Sequence, residues 1–184
     1  MRAVLVGAAM AVLLSAGSAQ AATTVLGNGL ASLCSREAKD GSNEPAAIDL
    51  CSMAIESESL TRHDLAGTYV NRDVIRMRRN AYRDARVDFN IAVKLAPDMG
   101  EAFVNRGGAL VGEKRYVEAL QDIDRGLTLN PEEPEKAYYN RGLAHEGLDD
   151  VTSAYFDYQR AVALKPDWTP PQRELTRFTV KQAD

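Results

Sequence analysis

From residue 29 onward, apolar side chains fall at three- and four-residue steps in helix-length runs broken by Gly, Asn, Asp and Pro. That period marks amphipathic helices. Leu30, Leu33 and Cys34 share a face of a short helix predicted over 29–39. Asp40-Gly41-Ser42-Asn43 is a turn signal. A second helix opens at Glu44-Pro45, with proline in its tolerated first turn, and carries Ile48, Cys51, Met53 and Ile55 to about Ser57. Further helices are predicted over 65–79, 81–95, 100–112, 116–129, 135–147 and 151–164. Pro97, Pro131 and Pro166 close successive pairs, because proline cannot extend a helix. A last helix over 172–182 carries Leu175, Phe178 and Val180 on its apolar side and suits a terminal cap.

Before residue 29 the pattern changes. Arg2 precedes an unbroken apolar run from Ala3 to about Ala16, followed by small residues. Ala19-Gln20-Ala21 fits a small-x-small cleavage site, so 1–21 reads as a secretory signal peptide. The run is short for a spanning helix, which needs about 20 apolar residues. No cysteine follows it, so a lipid attachment site is absent from that stretch. Residues 22–28 read as a loose leader. The short, Ala-rich signal points to export, in a bacterium to the periplasm, with no membrane span after removal.

The helical runs repeat. Asn71-Arg72, Asn105-Arg106 and Asn140-Arg141 recur at spacings of 34 and 35. Each is followed by Tyr82, Tyr116 or Val151, then Ala85, Ala119 or Ala154, then Ala92, Gly126 or Ala161, then the proline. Pro134 supplies the extra residue of the longer period. A fixed period in the thirties is the mark of a stacked helical array.

These landmarks resemble the tetratricopeptide repeat. The middle unit reads Phe103, Gly107, Ala109, Tyr116, Ala119, Gly126, Pro131; the third reads Tyr138, Gly142, Ala144, Ala154, Tyr158, Ala161, Pro166. The first reads Tyr69, Ala85, Phe89, Ala92, Pro97, with Asp73 where glycine is usual, a departure that weakens its closest helix contact. The resemblance implies an all-α solenoid of helical hairpins over 22–184. It comprises a degenerate repeat at 28–65, repeats at 66–99, 100–133 and 135–168, and a capping helix at 170–182. By the same resemblance, asparagines at the place of Asn71, Asn105 and Asn140 face a concave groove and bond the backbone of an extended peptide. Val70, Val74, Arg78, Val104, Gly108, Tyr139 and Leu143 would complete that groove. The alternative is that the asparagines tie neighbouring helices together.

Two further sets of residues need a role. Arg72, Arg106 and Arg141 each precede an aspartate by 16 positions: Asp88, Asp122 and Asp157. That spacing sets arginine on one helix of a hairpin and aspartate on the other, and the planar guanidinium suits bidentate carboxylate binding. Cys34 and Cys51, the two cysteines of the chain, take nearly the same places on the degenerate hairpin. In an exported chain they are expected to form a disulfide. Neither metal-ligand spacing nor a Cys-x-x-Cys redox motif accompanies them.

Composition narrows the function. The net charge is -4, and -5 once Arg2 leaves with 1–21, which argues against nucleic acid. A local cluster, Arg72, Arg76, Arg78, Arg79, Arg83 and Arg86, is suited either to an acidic partner segment or to solvation beside Asp73, Asp84 and Asp88. His63 and His145 are the only histidines, and no phosphate loop or nucleophile elbow appears. No cofactor and no metal are expected. The expectation is a non-enzymatic adaptor or assembly factor that binds a protein or peptide in its groove. The competing reading is a structural envelope component that binds glycan or outer-membrane material, for which Tyr139 and Trp168 would supply stacking faces. An enzyme with a site improvised on the array is the third.

Overall fold

The computed structural model describes residues 3–7, 17–25 and 29–182. The middle of the predicted signal run and the last residues of the predicted leader lie outside the described residues. Within them the fold is an all-α helical stack. The helices are α1 (Leu30–Lys39), α2 (Pro45–Ser57), α3 (Arg62–Arg78), α4 (Tyr82–Leu95), α5 (Gly100–Gly112), α6 (Tyr116–Thr128), α7 (Pro134–Gly147), α8 (Val151–Leu164) and α9 (Thr169–Leu175).

Helix ends follow local chemistry. Thr61 caps α3 by accepting the Asp64 N–H, and Asp150 caps α8 by accepting from Ser153. Pro45 and Pro134 stand in first turns. The turn inside each of the three regular hairpins places one residue in the left-handed region: Asn80, Lys114 and Asp149, with φ of 60°, 61° and 61°.

Successive helices pair as hairpins, α1 with α2 through α7 with α8, and each second helix packs on the next first helix. The first helices α1, α3, α5 and α7 also touch one another in succession. They therefore line the inner side of the stack. Close approach inside a hairpin needs small residues. A Cβ on Gly107 would lie 2.5 Å from Ile123 Cγ1, and one on Gly126 would lie 2.6 Å from Val104 Cγ2. Added bulk at such contacts overpacks the pair.

The C-terminus departs from the expected cap. Helix α9 ends at Leu175, and β2 (Phe178–Gln182) follows it as a strand antiparallel to β1 (Ala3–Gly7), with Leu5 opposite Val180. The predicted helix over 170–182 is thus half helix and half strand. Phe178-Thr179-Val180-Lys181 alternates apolar and polar residues, a period of two that the three-residue step from Leu175 to Phe178 obscured.

Candidate functional site

The inner wall is already occupied by the chain itself. Residues 17–25 run extended along α7, α5, α3 and α1 in that order. Asn140 accepts the Ala19 N–H on Oδ1 at 2.7 Å and donates from Nδ2 to the Ala19 carbonyl at 2.7 Å. Asn105 does the same for Ala21, at 2.9 and 2.7 Å. Asn71 does the same for Thr23, at 2.7 and 2.8 Å. Each carboxamide presents one acceptor and one donor, so it pairs with a residue's backbone as a neighbouring strand would. In α1 the hydroxyl of Ser35 donates to the Thr23 carbonyl at 2.7 Å and accepts the Val25 N–H at 3.4 Å.

The register follows from two periods. An extended chain turns the N–H and C=O of every second residue to the same side. The stack offers one polar side chain per first helix, so residues 19, 21, 23 and 25 meet one repeat each. All three asparagines are fully buried beneath the segment.

The other expected groove residues divide by helical geometry. A residue next to an asparagine is turned about 100° away from it, whereas one three further on returns to its face. Val70 and Val104, each preceding an asparagine, are buried in the apolar core. Tyr139 packs with Tyr158 and Trp168 in a cluster that Ala19 joins, as does Leu143. Gly108 faces Ser18, whose Cβ would lie 3.4 Å from a Cβ added there. Val74 is buried in the core of the N-terminal half, against which Ala22 packs. Arg78 donates to the carbonyls of Ala38 (2.6 Å) and Ser42 (3.1 Å) at the C-terminal end of α1, where a cation suits the helix dipole. Burial lowers the guanidinium's pKa from its ordinary value. Its side chain also borders a cavity of about 370 Å3 shared with Ala22, Lys39, Glu132, Glu133 and Lys136.

Two positions escaped the reading of the sequence. A Cβ on Gly67, one turn before Asn71, would lie 3.1 Å from Thr23 Cγ2 and 3.2 Å from Val25 Cγ2. Ser35 takes the asparagine's place in the degenerate unit. The occupant itself left a faint trace, since Ala19, Ala21, Thr23 and Val25 alternate with Gln20, Ala22 and Thr24.

The arginines form a separate system on the hairpin side. Arg106 grips Asp122 with Nε and Nη2, both at 2.6 Å, and Arg141 grips Asp157 at 2.9 and 2.7 Å. Arg72 meets Asp88 through one carboxylate oxygen, which Arg76 shares. The third nitrogen of each reaches back to the preceding hairpin: Ser52, Asn90 and Asp124 respectively. Each guanidinium also lies over an aromatic ring three residues earlier, Tyr69, Phe103 or Tyr138. One side chain thereby ties two helices of its own unit to the unit before. The bonds to Asp157 push the Arg141 pKa upward.

The remaining basic residues are dispersed. Arg76 contacts Asp73, Arg79 contacts the Asn43 carbonyl and Arg86 contacts Glu113; the Arg83 side chain lies outside the described residues. His145 sits near Asp150 and Asp157, at 3.5 and 3.8 Å. Cys34 and Cys51 are joined in a disulfide with their Cα atoms 5.0 Å apart, linking α1 to α2. Among the described residues no three His, Cys, Asp or Glu side chains converge as a metal site. Nor is any described helix long and apolar enough to cross a membrane.

Comparison with known proteins agrees with this architecture. Residues 135–167 match the tetratricopeptide repeat family. The wheat (Triticum aestivum) Hsp70-Hsp90 organizing protein is 36% identical over 85 residues, covering 46% of this chain and 14% of its own length. The chain therefore spans a small part of that relative. The solved structure of PilW, a type IV pilus biogenesis factor, superposes with a TM-score of 0.68 at 21% identity, covering 80% of this chain and 66% of that one. The second tetratricopeptide domain of human RPAP3, solved with an HSP70 peptide, superposes with a TM-score of 0.56 at 22% identity, covering 63% of this chain and 96% of that one. Residues 135–167 thus match one tetratricopeptide repeat, and the fold of the chain is similar to that of solved tetratricopeptide domains.

Proposed function

We propose that this protein binds other proteins by holding an extended segment in its concave groove, as an exported adaptor or assembly factor. The observation that carries the reading is the set of three asparagines, each pairing with both backbone groups of one residue in an extended chain. Such pairing recognises backbone and leaves specificity to the groove floor. The wheat relative is named for organising two other proteins, and the human domain holds a peptide; both favour the same class. The glycan reading finds less support, because Tyr139 is buried with its ring 5.2 Å from that of Trp168, edge-on, and offers no open stacking face. Export is supported by the apolar run after Arg2, by the small-x-small site at Ala19–Ala21 and by a disulfide suited to an oxidising compartment.

The test uses the chain from Ala22 onward, in which the clamps at Asn105 and Asn140 are vacant. A labelled Gly17–Ala21 peptide should bind it, and Asn105→Ala with Asn140→Ala should weaken binding by roughly tenfold or more, since each lost hydrogen bond is worth about 1 kcal/mol. Helix content by circular dichroism should stay the same. Equal affinity in both forms removes the groove from the mechanism.

A further inference from the structure

We propose that residues 18–25 are a built-in competitor for the groove. The unprocessed chain is closed to partners by its own segment, and the partner it excludes is an extended chain of the pattern small-x-small-x-small. This rests on the groove reading above and adds to it the ligand's pattern, its direction and its control.

The pattern comes from the two edges of the bound segment. Ala21, Thr23 and Val25 are buried to 2%, 8% and 4% exposure, whereas Thr24 between the last two is open to solvent. Gly67 lies under Thr23 and Val25, so close that an added methyl would crowd the segment. Side chains larger than threonine or valine therefore have no room at these positions. The Thr23 hydroxyl is buried without a hydrogen-bond partner, so its site selects size and shape, not polarity. Ala22 packs against the core on one side and on the other borders the cavity of about 370 Å3 between Lys39, Arg78, Lys136, Glu132 and Glu133. A long polar side chain fits there. The direction is fixed by the clamps: the segment enters over α7 and leaves over α1, against the order of the repeats.

The control follows from exclusion. One carboxamide serves one residue, so a partner takes Asn105 and Asn140 only after Ala21 and Ala19 have left. A segment tethered to the wall it occupies competes at high effective concentration, and the apparent affinity of any partner falls by the fraction of chains that are open. Removal of 1–21 takes away two of the three clamped residues and leaves Thr23 on Asn71. Two clamps then stand open, next to a retained residue that sets the register.

The experiment uses the full chain. By amide hydrogen exchange, Ala19, Ala21 and Thr23 should be protected while Gln20, Ala22 and Thr24 exchange quickly. Ala21→Asp places a carboxylate where it has no partner, which should release the segment and its protection. A labelled Gly17–Val25 peptide should bind A21D at least tenfold tighter than the unchanged chain. Asn105→Ala added to A21D should erase that gain. In the peptide, Ala21→Leu should abolish binding and Ala22→Gln should leave it intact. Equal, measurable binding to the unchanged chain and to A21D overturns the competitor while the groove reading stands. Binding to neither, or a gain indifferent to Asn105→Ala, overturns both. Absence of the alternating protection overturns the competitor whatever the variants do.

Discussion

Asp73 shows how one residue can set a unit apart from its copies. The matching positions in the next two units are Gly107 and Gly142, and here a carboxyl is fully buried in their place. One of its oxygens pairs with Arg76 at 2.9 Å and the other has no partner. Burial above all, then the neighbouring Asp88, raises its pKa well above the ordinary value, against the pull of Arg76. A group whose pKa rises on folding favours the folded state most below its unfolded pKa, about 3.9. That contribution is lost as pH rises toward the folded value. Asp73→Asn removes the linkage. Urea unfolding of both proteins between about pH 4 and 8 should show the natural chain losing stability relative to D73N as pH increases. Parallel curves would mean that the carboxyl titrates alike in both states.

At the scale of the element, the first hairpin is the least regular and is held by a covalent link where the others have ion pairs. Cys34 and Cys51 are both fully buried, and the loop they close spans 17 positions. Such a loop contributes about 3 kcal/mol in the chain-entropy account. Replacing both cysteines by alanine should lower the unfolding free energy by about that amount. It should also free Val25 before Ala19, because Ser35 sits beside Cys34 whereas Asn140 lies three hairpins away. An exchange profile in which the whole segment loosens together would show that the stack responds as one unit. The Arg106–Asp122 and Arg141–Asp157 links were legible from a spacing of 16, because a hairpin of fixed length returns to the same height. The backward reach to Ser52, Asn90 and Asp124 was not, because it depends on how one hairpin is rotated on the next. The terminal strand was misread for a related reason: its alternation has force only where β1 offers an edge, and that edge is far away in sequence.

For the whole molecule, the decisive fact is that the stack closes on its own N-terminal segment. The bond between Ala21 and Ala22, the expected cleavage point, lies between the clamps of Asn105 and Asn71. A protease needs an extended chain free on both edges, so docking and cutting exclude each other. An endoprotease that cuts after alanine should attack this bond slowly in the folded full chain. Asn71→Ala with Asn105→Ala should speed the cut by roughly tenfold or more, since cleavage follows the open population. Unchanged rates would place the segment outside the groove in solution. If export proceeds as proposed, the cut takes the chain with its segment out of the groove, and the chain recovered from the cell begins at Ala22.

The amino-acid order alone determined the helices, their pairing into hairpins and the recurrence of asparagine, arginine and aspartate, because each depends on spacing within one unit. It also singled out Asn71, Asn105 and Asn140, though not what they hold. In the structure the stack brings residues 121, 84 and 48 positions apart into hydrogen-bond contact with them. The groove is made of curvature, which belongs to how neighbouring hairpins are rotated and to no single one of them. Its occupant was hidden in a stretch whose small, bland side chains carry no helical period, since what the wall recognises is their backbone.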